Sequence, residues 1–262
     1  MRIEVRSNAV KEKVKQGKPV FSSSLRLPEP GICEVLGYAG WDFVLLDGEH
    51  GVLDHVTMDR MVQSCFAAGT VPMVRVQKNH DSEAIMTALD LGVQGIMIPH
   101  CRTAEDARRL KEAAFYAPEG KRGFGPGRGT LWGRVPLEAY FERINSTIML
   151  LALVEDLEAL DQIDEIAAAG LDVIWVGTGD LAMAYGVPGQ RQHPLVQAAA
   201  DKILNACLKH GVCPGYPAKD PQDAVWALKK GYRAIGYGGA EQYIMQQSLQ
   251  FLQTVEGCNE TK

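Results

Sequence analysis

Gly40-Trp41-Asp42-Phe43-Val44-Leu45-Leu46-Asp47-Gly48-Glu49-His50-Gly51 is the stretch from which the chain is read outward. Phe43 to Leu46 is a short apolar run of the kind found in strands buried on both faces of a parallel sheet. Asp47, Glu49 and His50 follow at once, in a turn bounded by Gly48 and Gly51. In α/β folds the C-terminal end of a strand is where the site is built. The competing reading is an ordinary solvated turn, with Asp47 capping a helix and His50 idle.

The same strand-then-helix beat recurs on both sides of this stretch. Strands are expected over 19–24, 41–47, 71–76, 95–99, 148–154, 172–176, 211–215 and 233–236. Helical spacing fills the gaps at 29–38, 54–67, 82–91, from Thr103, and at 157–168, 194–210 and 221–230, with a last helix over 241–255. Eight such units in 262 residues match a single-domain (β/α)8 TIM barrel over 1–262 in count and size. A doubly wound open sheet is the alternative, but no Gly-x-Gly-x-x-Gly follows the first strand to support a dinucleotide site.

The net charge of −5 gives no electrostatic reason to expect nucleic acid or an anionic membrane as partner. No apolar run approaches the ~18–20 residues of a membrane span. The segment 1–17 is charged and lacks the apolar core of a signal peptide, which reads as cytoplasmic sequence. Six cysteines without Cys-x-x-Cys spacing fit reduced thiols in that compartment. The stretch 116–136 breaks the beat, interleaving six glycines with Lys121, Arg122, Arg128 and Arg134. A connection of that length is functional or disordered, and its positive charge suits anion handling or a subunit contact.

A barrel brings distant strand ends together. Glu155 and Asp180 each follow a strand directly, beside the Asp47/Glu49 pair. Several carboxylates in one partly buried cup are costly without a cation, so Glu155 and Asp180 are candidate ligands for Mg²⁺ or Mn²⁺; as helix N-terminal acids they would need none. Arg75, inside the apolar third strand, either pairs with a carboxylate or offers its fork to developing enolate charge. Thr178, Gly179 and Asp180 present backbone N–H groups at a helix start, a cradle for a substrate carboxylate. His50 is read as the one histidine at a strand end beside acids, with Asp47 placed to orient it as a general base. His55, His80, His100, His193 and His210 are read as surface, loop or helix positions.

Residues 40–51, Met73-Val-Arg-Val76, Leu89-Asp-Leu-Gly-Val-Gln-Gly-Ile-Met-Ile-Pro99, Gly120-Lys-Arg-Gly-Phe-Gly125, Val154-Glu155 and Gly177-Thr-Gly-Asp-Leu181 together resemble the HpcH/HpaI aldolases. The resemblance covers about residues 20 to 240 and implies a class II pyruvate aldolase. Such an enzyme cleaves 4-hydroxy-2-oxo acids or 2-keto-3-deoxy sugar acids to pyruvate and an aldehyde. It further implies Glu155 and Asp180 as ligands of Mg²⁺, Mn²⁺ or Co²⁺, and Arg75 on the enolate oxygen. His50, with Asp47, would move the C4 hydroxyl proton, and the Gly179 and Asp180 amides would hold the substrate carboxylate. It also implies a homohexamer in which the C-terminal helix is exchanged between subunits; packing of that helix on its own barrel is the alternative. Three departures concern substrate choice: Leu153 stands where the family often has glutamine, Thr178-Gly179 where Pro-Ala is usual, and the glycine-rich loop 123–133 is unusual in composition.

Three other readings compete. A Schiff-base aldolase needs a lysine inside a strand, and none of the eight runs has one. A CoA-thioester lyase of related fold would use the loop 121–134 for a nucleotide tail. A metal- or anion-binding barrel without activity would not need Asp47, His50, Arg75, Glu155 and Asp180 all at once.

Overall fold

A computed structural model describes residues 5–259. Eight parallel strands close into a barrel in sequence order. They are β1 (Val20–Leu25), β2 (Phe43–Asp47), β3 (Val71–Arg75), β4 (Gly95–Ile98), β5 (Met149–Val154), β6 (Val173–Val176), β7 (Cys213–Ala218) and β8 (Ala234–Gly239). Around them lie α1 (Ala9–Lys15), α2 (Pro30–Tyr38), α3 (His55–Ala67), α4 (Ser82–Asp90), α5 (Ala104–Ala114), α6 (Leu137–Thr147), α7 (Leu157–Asp161), α8 (Ile163–Ala167), α9 (Thr178–Ala184), α10 (Pro194–His210), α11 (Pro221–Lys230) and α12 (Ala240–Asn259).

The strands are apolar throughout because they bury both faces, and their period-2 alternation sorts the side chains. Phe43, Met73, Met97, Met149, Leu151, Leu153, Val173 and Trp175 fill the lumen. Val44, Leu46, Val74, Ile96, Ile98, Leu150, Ala152, Val154, Ile174 and Val176 pack outward under the helices. Side chains two apart share a face. Asp47 is therefore in phase with Phe43, Arg75 with Met73, and Glu155 with Leu153. The alternation that builds the core delivers these three charged groups to the mouth of the barrel.

The other end is sealed. Asn8 Nδ2 donates to the carbonyls of Gln94 and Thr147, at 2.9 Å each. Val10 joins the lumen cluster, and Lys11 Nζ pairs with Asp172 Oδ2 at 3.0 Å. The C-terminal face of the strands is left as the open end of the barrel.

Several boundaries differ from the sequence expectation. Strand β7 begins two residues late, because Gly211 adopts φ 70 as the left-handed C-cap of α10. It then runs on to Ala218 through two prolines that read as strand breakers. The expected helix 157–168 is two short helices, broken at Gln162. Helices α1 and α6 lie where none was expected. Asn8 caps α1 through Lys11 N–H, while α6 emerges from the glycine-rich stretch directly after Pro136. The reading of 1–17 as cytoplasmic sequence rests partly on residues 1–4, which lie outside the described residues. Five cysteines are free thiols, and Cys258 falls outside the described side chains. No helix among the described residues is long and apolar enough to cross a membrane.

Trp175 is the largest plug of the lumen, and the strands beside it give way to it. A Cβ on Gly215 would lie 2.4 Å from Trp175 Cε3, and one on Gly236 2.7 Å from Cζ2. Gly215→Ala should therefore cost about 1–3 kcal/mol in urea unfolding, the usual penalty of overpacking. A stability equal to wild type would show that Trp175 has room to move.

Candidate active site

The mouth of the barrel is a cleft of about 520 Å³ lined from all eight strands, with Arg26, Asp47, Arg75, Leu153, Glu155 and Asp180 among its walls. Strands β2 and β3 are in a register that sets Asp47 beside Arg75. Arg75 Nε donates to Asp47 Oδ1 at 3.0 Å and Nη2 to Oδ2 at 2.6 Å, while Nη1 pairs with Glu49 Oε2 at 2.8 Å. Burial alone would push the Asp47 carboxyl up. The guanidinium and the Glu49 and His50 backbone N–H groups outweigh it and hold it below its usual value. The same carboxylates overcome burial at Arg75 and lift its pKa.

The contact between Asp47 and His50 therefore runs through the His50 backbone N–H, at 3.2 Å. The imidazole itself is 62% exposed, and its Nε2 lies 3.7 Å from Glu49 Oε2. Asp47 shapes the turn that presents His50 and fixes Arg75; it does not orient the ring as the sequence reading expected.

His100 is the residue that sequence reasoning missed. It stands two residues past β4, with φ 49, a left-handed conformation that a non-glycine residue adopts at a cost. Asn79 Nδ2 donates to its carbonyl at 2.8 Å, and its own N–H donates to Glu155 Oε1 at 2.9 Å. Its ring lies 3.0 Å from Asp156 Oδ2 and 3.6 Å from Glu49 Oε1. Burial opposes charge on this imidazole, but Asp156, Glu155 and Glu49 together raise its pKa. The strand-end rule that singled out His50 applied equally to His100 after Ile98-Pro99.

Glu155 is buried, its side chain 2% exposed. Its carboxyl is pushed up to about 7, first by burial and further by the Asp180 carboxylate at hydrogen-bond range, against the pull of His100. Gly177 admits it: a Cβ there would lie 2.4 Å from the Glu155 Cβ. Two carboxylates turned on each other are oxygen donors of the kind a hard divalent ion takes, so these residues fit Mg²⁺ or Mn²⁺. No group of three or more His, Cys, Asp or Glu among the described residues is arranged to hold a metal. Thr178, Gly179 and Asp180 form the first turn of α9, where backbone N–H groups have no intrahelical acceptor.

The basic stretch 121–134 does not reach this cleft. Lys121 pairs with Glu112, Arg122 with Asp90, and Arg128 with Asp59, and Arg122 also stacks on Tyr116. Its positive charge is spent mainly on anchoring the stretch to α3, α4 and α5, which removes the support for a nucleotide-binding role.

The raised Glu155 value has a consequence for stability. The folded chain binds this proton more tightly than the unfolded chain. The associated stability is full below about 4.5 and is lost as pH rises through about 7. With chelator present, the melting temperature of wild type should fall relative to Glu155→Gln between about pH 5 and about pH 8. Parallel curves would mean that the carboxyl titrates normally.

Comparison with known proteins follows this geometry. Residues 25–245 match the model of the HpcH/HpaI aldolase/citrate lyase family. A 5-keto-4-deoxy-D-glucarate aldolase of Shigella boydii is 36% identical over 214 residues, 81% of this chain and 82% of its own. A 4-hydroxy-2-oxovalerate aldolase of Novosphingobium aromaticivorans is 33% identical over 236 residues, 88% of each chain. The crystal structure of an HpcH/HpaI aldolase from Desulfitobacterium hafniense superposes with a TM-score of 0.90 at 29% identity, covering 94% of this chain and 96% of its own. With its strand-end carboxylates and its paired arginine inside the matched span, this chain belongs to the HpcH/HpaI aldolase/citrate lyase family.

Proposed function

We propose that this barrel is a class II aldolase, a carbon–carbon lyase that reversibly cleaves a 4-hydroxy-2-oxo acid or 2-keto-3-deoxy sugar acid to pyruvate and an aldehyde. The observation that carries the reading is the joint arrangement of Arg75, clamped by Asp47 and Glu49, and the Glu155/Asp180 carboxylate pair in one cleft. A divalent ion held by Glu155 and Asp180, Mg²⁺, Mn²⁺ or Co²⁺, would supply Lewis-acid polarisation of the substrate ketone.

The chain's own residues do the rest. Cleavage breaks the C3–C4 bond. The C4 hydroxyl loses its proton as that carbon becomes the aldehyde carbonyl, and the electron pair passes to the pyruvyl half as an enolate. Arg75 is held rigidly from two sides, so its charge is in place for the developing enolate oxygen without reorganisation. His50, exposed at the mouth, takes the hydroxyl proton, while Asp47 acts at one remove by fixing Arg75 and the turn that carries His50. The N–H groups of Gly179 and Asp180, with Thr178 behind them, receive the oxo-acid carboxylate. Half-buried His100 holds Glu155 in place through its N–H.

Mixing the protein with pyruvate in D₂O tests the enolate directly, without a choice of aldehyde. Methyl proton NMR should show exchange with Mn²⁺ and none with EDTA. Arg75→Lys should slow exchange by about 10²–10³, the loss expected on removing one preorganised donor. Absent exchange in protein shown to carry Mn²⁺ would refute the aldolase reading and favour the thioester lyase or a barrel without activity.

Reduced thiols fit a cytoplasmic enzyme, and the barrel reads as a single domain. We further place α12 between subunits of a homohexamer. Ile244, Met245, Leu249, Phe251, Leu252 and Val255 are all exposed along it, more apolar surface than a solvated helix carries. Leu249→Asp with Phe251→Asp should shift the mass measured by light scattering from an oligomer to smaller species; an unaltered mass would place the contact elsewhere.

A further inference from the structure

A second cavity, of about 310 Å³, lies at the sealed end of the barrel, away from the cleft. It is bounded by the segment before α1, the last turns of α3, α4 and α6, and the turn 128–132. Gln94, directly before β4, is part of its wall and places it at the N-terminal end of the strands. Phe66, Leu89, Val93, Leu131 and Trp132 make most of the lining apolar. The two charged groups in that lining are both guanidinium, from Arg6 and Arg128, and no Asp or Glu among the described residues joins them. Arg6 keeps an exposed edge, but its guanidinium lies 3.9 Å over the Phe66 ring. Burial lowers its pKa, and no carboxylate offsets this. Arg128 gives Nη2 to Asp59, while its buried Nε has no acceptor among the described residues, which is destabilising in itself.

One wall of this cavity is also strained. Leu131 and Trp132 both take left-handed backbone, at φ 48 and 56, ahead of Gly133 at φ 83. The turn is pinned by Trp132 N–H on the Gly127 carbonyl at 3.0 Å and by Gly133 N–H on Thr130 Oγ1 at 3.2 Å. The strain is not repaid by burial, because the indole it presents is 74% exposed. Strained residues held by their surroundings in this way cluster at ligand clamps. A small apolar cavity with a few polar groups converging on it is the usual form of a small-molecule site. We propose that this cavity binds a small carboxylate carried on an apolar body of one or two rings, with the acid on Arg6 and the Arg128 Nε–H and the rings against Trp132 and Val93. Two guanidinium groups without an acid select an anion, and the volume admits nothing much larger. The cavity and the cleft are at opposite ends of the barrel, so the inference stands apart from the aldolase reading.

Indole-3-acetate and indole-3-acetamide, alike in shape and different in charge, are the probes. Titrated into the full chain and followed by saturation-transfer NMR, the acid should bind about tenfold or more tighter than the amide, the margin of a hydrogen bond to a charged group. Arg6→Gln should bring that ratio toward about one. Trp132→Ala should weaken both probes alike, and Gln63→Trp, which adds bulk at the rim, should abolish both. All three positions are exposed, so the variants should keep the wild-type melting temperature. Absence of saturable binding in wild type would overturn the proposal, as would an acid-to-amide ratio that survives Arg6→Gln. Acid binding that persists in Gln63→Trp, or that is lost from wild type on adding pyruvate with Mn²⁺, would place the acid in the cleft and equally overturn it. No binding, with a light-scattering mass that falls in Trp132→Ala, would assign the wall to a contact between copies of the chain instead.

Discussion

The pair between Asp47 and Arg75 is the contact on which the rest of the site depends. Asp47 is 3% exposed and accepts from two guanidinium nitrogens and two backbone N–H groups. A buried carboxylate is tolerable only when its acceptor sites are filled in this way, and a buried guanidinium only when its charge is answered. Each makes the other possible. Because the two are cross-strand neighbours, their bond also staples β2 to β3 at the open end of the barrel, beside the last backbone bond from Gly48 N–H to the Arg75 carbonyl at 2.8 Å. Acidification would weaken it, since the stability tied to a carboxyl held below its usual value is lost as pH falls through that value.

From this fixed point the charges are handed around the rim. Arg75 reaches Glu49, Glu49 approaches both His50 and His100, and His100 touches Glu155 and Asp156, which in turn meets Arg102 at 3.1 Å. Every acid in this run has a cation or an N–H except where Glu155 turns toward Asp180. Burial first, and then the Asp180 carboxylate, raise the Glu155 carboxyl, whereas at Asp47 the guanidinium and the backbone N–H groups outweigh burial. Two carboxylates of similar burial a few residues from strand ends thus acquire opposite character from their partners alone.

Much of this was legible in advance. Apolar runs of four to six residues separated by helical spacing dictate a parallel sheet buried on both faces, and eight of them close a barrel. Charged residues at their C-terminal ends, Asp47, Arg75, Glu155 and Asp180, were visible as candidates for the same reason. His100 was passed over because a histidine between a proline and a cysteine carries no periodic signal. Its importance lies in a left-handed backbone that only contacts from Asn79 and Glu155 sustain. Helix α6 was hidden by the glycines before it, and the cations of that stretch looked available because their partners Asp59, Asp90 and Glu112 lie on other helices.

What the sequence by itself determined is therefore the set of elements, their order and which residues stand at the working end, since hydrophobic period and strand polarity are local properties. Which of those residues face one another was decided only by the tertiary structure. The shear of the closed barrel sets Asp47 against Arg75 rather than against the His50 ring and turns Glu155 on Asp180. Pairing of charges depends on distance in space, and distances between residues a hundred positions apart are fixed by closure of the sheet, not by the chain that enters it.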